Sequence, residues 1–142
     1  QSRYRPAGFH PAGYNAATKE CNSNNTVPAS LGSFQAVSNA SNVQRFKYGW
    51  RSTNGGSKPI VFKDKAKRIT VVYQTGAANT GHAVVRVNGV PMAVLEGQSS
   101  SGGYINFANW VIEEYNASQN VEVSVQPIDG KQFTLVGLWL CT

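Results

Sequence analysis

Alternating apolar and polar residues run through the second half of this chain. In the segment RITVVYQT, residues 68–75, Ile69, Val71 and Tyr73 stand at every second position. Successive side chains of a β-strand point to opposite faces, so this spacing places the three on one apolar face. The segment NVEVSV, residues 120–125, repeats the pattern with valines. Both stretches are therefore predicted to be strands that bury one face.

Two dipeptides predict hairpin turns between such strands. Asn88 and Gly89 separate HAVVRV from VPMAVLE, and Asp129 and Gly130 separate the valine strand from FTLVGLWL. Asn-Gly and Asp-Gly pairs favour the positive φ angles of two-residue hairpin turns. The residues predicted to face inward are Ala83, Val85, Val87, Val121, Val123, Val125, Phe133, Leu135, Gly137 and Trp139, with Arg86 on the opposite side.

The spacing of strands and turn signals predicts an all-β fold for residues 34–142. At least seven strands and little helix are expected, because long helical periodicity is absent. One segment, NWVIEEY at residues 109–115, could be either a strand or a short helical turn. Two antiparallel sheets packed face to face in jelly-roll order, a β-sandwich, account for this pattern.

The first 33 residues differ from the rest of the chain. They contain three prolines and many Asn and Ser residues, and no period of 2 or 3.6 is sustained. We predict an extended N-terminal arm that wraps the domain and is held by Tyr4, Phe9 and Tyr14. A linker from a preceding domain is the alternative.

Charge is sparse but unevenly distributed. Charged residues make up 14% of the chain, against about 25% in an average soluble protein. The net charge is +6, and eight of the thirteen basic residues lie between Arg45 and Arg68, with Asp64 the only acid there. Such a patch could bind an acidic polysaccharide or a phosphate-bearing polymer, but no nucleic-acid motif accompanies it. We interpret KDKAKR, residues 63–68, as a solvated turn whose lysines discourage edge pairing.

The cysteines, histidines and apolar runs bear on three questions: disulfide formation, metal binding and membrane insertion. Cys21 and Cys141 could form a disulfide, worth about 3–5 kcal/mol for so long a loop, or remain two buried thiols. His10 and His82 stand at no zinc-ligand spacing, and no acidic cluster indicates calcium, so no cofactor is expected. No run approaches the ~20 apolar residues of a membrane span. The chain begins at Gln1, and its neutral polar composition favours a processed protein that is secreted or on a virion surface.

No pattern of catalytic residues is present. The chain has no Gly-x-Ser-x-Gly elbow, no phosphate-binding loop and no His-Glu-x-x-His motif. Glu113 and Glu114 are adjacent, and in a strand they would point to opposite faces, which excludes a glycosidase pair. His82 follows a glycine at a strand start without a visible partner. We therefore predict no enzyme, although substituting His82 and Glu114 would test for an unrecognised hydrolase.

Two stretches have the content of a sugar-binding site. A sugar ring packs its C–H face on an aromatic side chain, while planar polar groups bond its hydroxyls. The candidate carbohydrate-binding residues are Tyr48, Trp50, Arg51 and Asn54 in YGWRSTNGGSKP, and Tyr104, Asn106, Asn109 and Trp110 in SSSGGYINFANW. For each aromatic the alternative is burial in the core, and the role of the first stretch depends on which way Trp50 points.

The strands resemble a known kind of domain. The residues that carry the resemblance are Phe62, Ile69, Val71, Tyr73, Gly81, Ala83, Val85, Val87, Asn88, Gly89, Phe133, Leu135, Gly137 and Leu138. Across residues 57–140 they are similar to the jelly-roll accessory domains attached to SGNH (GDSL-type) carbohydrate esterases, which also occur in phage tail proteins. The esterase nucleophile and Asp-x-x-His blocks are missing here. The resemblance therefore implies an accessory or carbohydrate-binding module without its own catalysis.

These observations lead to two hypotheses. The first is a non-catalytic module that binds a polysaccharide or cell-surface glycan and that belongs to a larger glycan-active enzyme or phage receptor-binding protein. The basic stretch between Arg45 and Arg68 would favour an acidic glycan. Any catalysis would then reside in a neighbouring domain. The second is a structural module of a phage tail or capsid-like assembly, which forms a homo-oligomer and has no glycan site.

Overall fold

The protein is described by a computed structural model for residues 28–40, 48–75, 80–97 and 106–141, with the side chains of residues 106–111, 139 and 141 left aside. These residues contain seven strands: β1 (Phe34–Val37), β2 (Gly49–Ser52), β3 (Ile60–Thr75), β4 (His82–Val87), β5 (Val90–Glu96), β6 (Asn106–Pro127) and β7 (Phe133–Cys141). Within the same ranges there is no helix, and hence none of a length and apolarity that could cross a membrane.

The strands form one continuous antiparallel sheet in the order β1-β2-β7-β3-β6-β4-β5. Its centre is the pair of long strands β3 and β6, with 16 and 22 residues. Their ladder runs from Ile60 opposite Val125 to Thr75 opposite Asn106, and it shifts register between Ala66 and Arg68 and again after Ile69. A β-bulge bends a strand and increases its twist, so these shifts divide the long pair into two halves.

The two halves belong to two facing layers. Layer 1 contains β5, β4, residues 119–127 of β6 and residues 60–66 of β3; layer 2 contains β1, β2, β7 and the other halves of β3 and β6. The ring centroids of Trp50 in layer 2 and Phe62 in layer 1 lie 5.6 Å apart. The chain is thus an all-β sandwich, and the predicted fold class is confirmed.

One apolar cluster fills the space between the layers. Its buried members are Phe34, Trp50, Ile60, Phe62, Ala66, Ile69, Val71, Tyr73, Ala83, Val85, Val87, Leu95, Val121, Val123, Val125, Phe133, Leu135, Leu138 and Leu140. In β3 the inward positions are even-numbered up to Ala66 and odd-numbered from Ile69, as the intervening bulge requires. The opposite face of layer 2 is buried as well, at Val72 and Gln74 among others.

Four connections meet at one end of the sandwich, which we call the loop end. Their described residues are 53–59, 80–81, 97 and 128–132. Backbone hydrogen bonds tie these segments together: Gly55 donates to Gly130 and Gly81 to Gln132, both at 2.8 Å, and Gly97 donates to Gly81 at 3.0 Å. The opposite end, the bend end, carries the bulges of the β3 and β6 pair.

The predicted Asn-Gly hairpin is present, and Asn88 and Gly89 have φ angles of 51° and 82°. The predicted Asp-Gly hairpin is wrong: the chain turns at Gly130, with a φ of 74°, but β6 and β7 are not paired, and residues 128–132 cross from layer 1 to layer 2. NWVIEEY forms part of strand β6 and not a helical turn. Because Asn tolerates the left-handed region better than most residues, the Asn-Gly pair forms the tight turn between β4 and β5 without a costly conformation.

Two further sequence predictions were wrong. KDKAKR is not a turn, because residues 63–68 lie inside β3 and carry the bulge at which the strand changes layers. In β7 the inward pattern holds through Leu135, but a register shift against β3 then makes Leu138 and Leu140 the core residues in place of Gly137. The side chain of Trp139 lies outside the described part of the chain.

The N-terminal segment is described only from residue 28. Val61 donates a hydrogen bond to the Ser30 carbonyl at 2.9 Å and accepts one from Ala29 at 2.7 Å. Residues 29 and 30 therefore extend layer 1 beyond β3. The remainder of the predicted arm, including Cys21, lies outside the described residues, as does the side chain of Cys141, so the domain boundary and the disulfide remain predictions.

Candidate functional site

The predicted platform residue Trp50 is not on the surface. Its exposed fraction is 7%, and its ring meets Phe62 edge-on at an interplanar angle of 72°. Edge-to-face packing of this kind is typical of aromatic residues in a core. Trp50 points inward, where it cannot stack on a ligand, and this part of the predicted site is wrong.

Arg51 points to the opposite face of β2, as strand alternation requires. Its Nε donates to Thr134 Oγ1 at 2.8 Å, Nη1 to Asn39 Oδ1 at 2.9 Å, and Nη2 to the Asn39 carbonyl at 3.0 Å. Burial lowers the pKa of this guanidinium. All three of its nitrogens are engaged within the protein, so Arg51 fastens the chain after β1 to the sheet.

The remaining residues of the first stretch are separated from each other. Tyr48 is half-buried at the start of β2. Asn54 is exposed at the loop end, and its Oδ1 accepts a hydrogen bond from the Gln132 backbone at 3.0 Å. The structure therefore does not bring the four residues of the first stretch to one surface, and only Asn54 is at the loop end.

The second stretch is described only in its backbone. Asn106 pairs with Thr75, Asn109 with Val72 and Trp110 with Val71. Asn106 thus begins β6 at the loop end. Tyr104, two residues earlier, lies outside the described residues, as do the side chains of Asn106, Asn109 and Trp110.

A charged cluster at the loop end was missed by the sequence analysis. Asp129 Oδ2 lies 3.0 Å from His82 Nδ1 and also accepts the His82 backbone N–H at 3.0 Å, while Glu96 Oε1 lies 3.8 Å from His82 Nε2. Burial alone would raise the pKa of Asp129, but its hydrogen bonds with His82 and Lys131 outweigh that effect and hold the pKa below its usual range. No local signal in the sequence links His82 with Asp129, which are 47 positions apart.

Tyr73 lies close to this cluster from the core side. Burial raises the pKa of its hydroxyl, and the negative charge of Glu96 raises it further. The ring of Tyr73 stacks on Phe133, with centroids 5.8 Å apart. The loop end thus joins a polar rim directly to the aromatic core.

The bend end carries an open depression of about 590 Å³. It is lined by Lys63, Asp64, Lys65, Asn88, Asn120, Val121 and Glu122. Side-chain amides and charges of both signs converge here from β3, β6 and the Asn-Gly turn. This depression was not predicted from the sequence, because the lysine-rich segment has the composition of a solvated turn.

The loop-end cluster offers hydrogen-bonding groups. His82 and Asp129 resemble a base and its orienting carboxylate, and among the described residues no hydroxyl or thiol hydrogen-bonds to His82 Nε2. The described residues contain no group of three or more His, Cys, Asp or Glu side chains suited to a metal ion. The described surface thus presents exposed polar side chains at the loop end and a shallow depression at the bend end.

Comparison with solved structures defines the fold further. A family 35 carbohydrate-binding module from an environmental isolate superposes with a TM-score of 0.52 at 14% identity, over 80% of this chain and 89% of the module. The two share a fold. A β-(1,4)-mannanase of Podospora anserina, described as GH26-CBM35, gives a TM-score of 0.51 at 12% identity, over 82% of this chain and 28% of that chain.

A two-domain esterase active on acetylated mannans, co-crystallized with mannopentaose, also matches. Its TM-score is 0.66 at 19% identity, over 85% of this chain. The chain spans about a third of the esterase, 34% of its length. No protein-family profile and no curated protein matches the sequence. The relationship is therefore one of fold.

Proposed function

We propose that this protein is a non-catalytic module that binds a polysaccharide. The observation that carries the proposal is the fold shared with a free-standing carbohydrate-binding module, of which the chain covers 89%. The superposition with about a third of a two-domain esterase supports a place beside a catalytic domain of a larger secreted protein. A role in a phage receptor-binding protein is a further setting consistent with the sequence.

The proposed binding surface is the loop end. Asn54 is exposed there, Asn106 begins β6 at the same end, and Tyr104 precedes Asn106 by two residues in the sequence. Tyr104 and Trp110 would supply the aromatic platform in place of the buried Trp50, and Asn54, Asn106 and Asn109 the amide groups. The rim formed by His82, Asp129 and Glu96 adds hydrogen-bonding groups beside them.

A preference for acidic polysaccharides is the finer part of this proposal. It is supported by the net charge of +6 and by Lys58, which belongs to the basic stretch and is exposed at the loop end. Surface charge of this kind accelerates association with anions, and added salt weakens that attraction. Affinity for any single sugar unit is expected to be weak, because the free energy of a few contacts only slightly exceeds the cost of ordering the ligand.

A glycan array of neutral and acidic polysaccharides, including mannopentaose, tests the proposal. The folded variants Tyr104→Ala and Trp110→Ala should lose binding, whereas Tyr115→Ala, which removes an aromatic ring near the bend end, should retain it. Circular dichroism confirms the fold of each variant. Equal binding by all three variants would contradict the loop-end site. If no glycan on the array bound the unsubstituted protein, the proposed function itself would be contradicted.

One observation favours the alternative of a structural module. The edge strand β5 exposes Val90, Met92 and Val94, with exposed fractions of 57%, 37% and 48%. Such an edge could pair with a second copy of the chain, although Pro91 removes one backbone donor and a bulge interrupts the strand. Light scattering decides between the two: a stable oligomer that is silent on the array would support the alternative.

A further inference from the structure

The depression at the bend end has a lining whose charges balance. Lys63 and Lys65 contribute two ammonium groups, and Asp64 and Glu122 contribute two carboxylates. Two side-chain amides and the apolar Val121 complete the wall. A balanced set of donors and acceptors matches a ring of hydroxyl groups better than it matches an anion, because a hydroxyl both donates and accepts.

Asn88 is held in one orientation. Its Oδ1 accepts the Glu122 backbone N–H at 2.9 Å, and its own backbone N–H donates to the Glu122 carbonyl at 2.8 Å. Because the amide oxygen is occupied, the orientation of the side chain leaves the NH₂ group to be offered to a ligand. A donor fixed in advance lowers the ordering cost of binding.

The two lysines differ in their engagement. The Lys63 ammonium lies 3.5 Å from Glu122 Oε1. The backbone N–H of Lys65 donates to Asp64 Oδ1 at 2.7 Å, while its ammonium forms no ion pair with a carboxylate of the described residues. Lys65 can therefore donate to a ligand without first breaking a salt bridge.

We propose that this depression is a second carbohydrate-binding site, which holds an uncharged sugar ring through its hydroxyl groups. Lys65 and Asn88 donate hydrogen bonds to ring hydroxyls, and the carboxylates of Asp64 and Glu122 accept hydrogen bonds from others. This inference rests on the proposed polysaccharide binding. It adds a site at the end of the sandwich opposite the loop end, so that one glycan chain or two neighbouring chains could engage both ends.

The test is a ¹⁵N-HSQC titration of the chain with mannopentaose, cellopentaose, xylopentaose and trigalacturonate. For at least one neutral oligosaccharide, we expect saturable shifts of the Asn88 and Asn120 side-chain amides. The variant Lys65→Gln should weaken this binding about fivefold, the effect of one hydrogen bond. The matched variant Lys131→Gln removes the same charge at the loop end and should leave the bend-end affinity unchanged.

The outcomes separate this inference from the proposed function. Shifts confined to the loop end, with the Asn88 and Asn120 amides unmoved, would overturn the second site and leave the proposed function standing. Bend-end shifts caused only by trigalacturonate and abolished by 0.5 M NaCl, on the order of a 4 Å Debye length, would show simple charge attraction and also overturn it. If no amide signal shifted and no glycan on the array were bound, both the second site and the proposed function would be contradicted.

Discussion

Trp50 shows how one residue decides between a binding surface and a core. Sequence alternation places Trp50 and Arg51 on opposite faces of a strand but does not say which face is buried. The contact with Phe62 across the two layers settles the question. Its ring belongs to the contact that joins the layers, so its main contribution is to stability.

We expect Trp50→Ala to destabilise the protein by about 3–5 kcal/mol, because it leaves a cavity between the layers. Urea unfolding followed by circular dichroism measures the free energy of unfolding. Met92→Ala, a truncation on the exposed edge strand, serves as the control and should change stability by no more than about 0.5 kcal/mol. A similar small change for both variants would contradict the buried position of Trp50.

Asp129 gives a prediction for the pH dependence of stability. Because its pKa is lower in the folded protein than in the unfolded chain, its ionised form stabilises the fold above the unfolded-state pKa of about 3.9. That stabilisation disappears as the pH falls through the folded-state pKa. Asp129→Asn should therefore be less stable than the unsubstituted protein at pH 6, and the difference should shrink toward pH 3.

The measurement is a series of urea unfolding curves between pH 3 and pH 6. Glu114→Gln provides the comparison, since Glu114 is 65% exposed and lies 3.9 Å from Arg68. An exposed pair of this kind contributes little, so this variant should follow the unsubstituted protein closely. A destabilisation by Asp129→Asn that stayed constant over the whole range would refute the role assigned to its charge.

At the scale of elements, the hairpin of β4 and β5 depends on the turn at Asn88. Residue 88 needs a positive φ, and its side chain also bonds the Glu122 backbone at 2.9 Å. We expect Asn88→Ala to lower stability by about 1–3 kcal/mol, from the strained φ angle and the lost hydrogen bond. Asn88→Gly keeps the turn and loses only the bond, so it should be the milder change.

Thermal unfolding followed by circular dichroism compares these two variants. The order of their midpoints is the informative result, because both remove the same side-chain amide. If Asn88→Ala proved at least as stable as Asn88→Gly, the positive φ at this position would not be what the turn requires.

The long pair of β3 and β6 is the element that makes the sandwich. Strand alternation predicts the second half of β3 correctly, with Ile69 and Val71 inward, and the structure adds Ile60 and Phe62 as inward residues on the other side of the bulge. The change of parity between Ala66 and Ile69 depends on how β3 pairs with β6 and so is absent from local pattern. For the same reason the prediction for β7 was correct up to Leu135 and wrong at Gly137.

For the whole molecule, the shared strands predict cooperative unfolding. β3 and β6 each contribute to both layers, and one cluster of apolar residues fills the space between them. Neither layer can lose its structure without exposing the inner face of the other. We therefore expect a single transition, as is usual for small domains.

Far-UV circular dichroism and tryptophan fluorescence should give coincident urea transitions for the unsubstituted protein. Two separated transitions would indicate that the layers unfold independently, contrary to the shared strands. Light scattering on the folded protein measures the mass of the species that unfolds.

The sequence by itself determined the strands, the turns and the all-β class of this protein. Alternation with a period of two and the Asn-Gly and Asp-Gly turns are local properties, and each was visible in a short window of residues. The sequence by itself also shows that the familiar catalytic motifs are absent from it.

Tertiary structure alone decided which side chains share a surface. Trp50 and Arg51 are neighbours in sequence but face opposite ways, whereas His82 and Asp129 are 47 positions apart and lie in hydrogen-bonding contact. The depression around Lys65 and Asn88 likewise joins segments that the sequence separates. The reason is physical: strand pairing and bulges act between distant segments, so they set the register and facing of residues that local pattern leaves open.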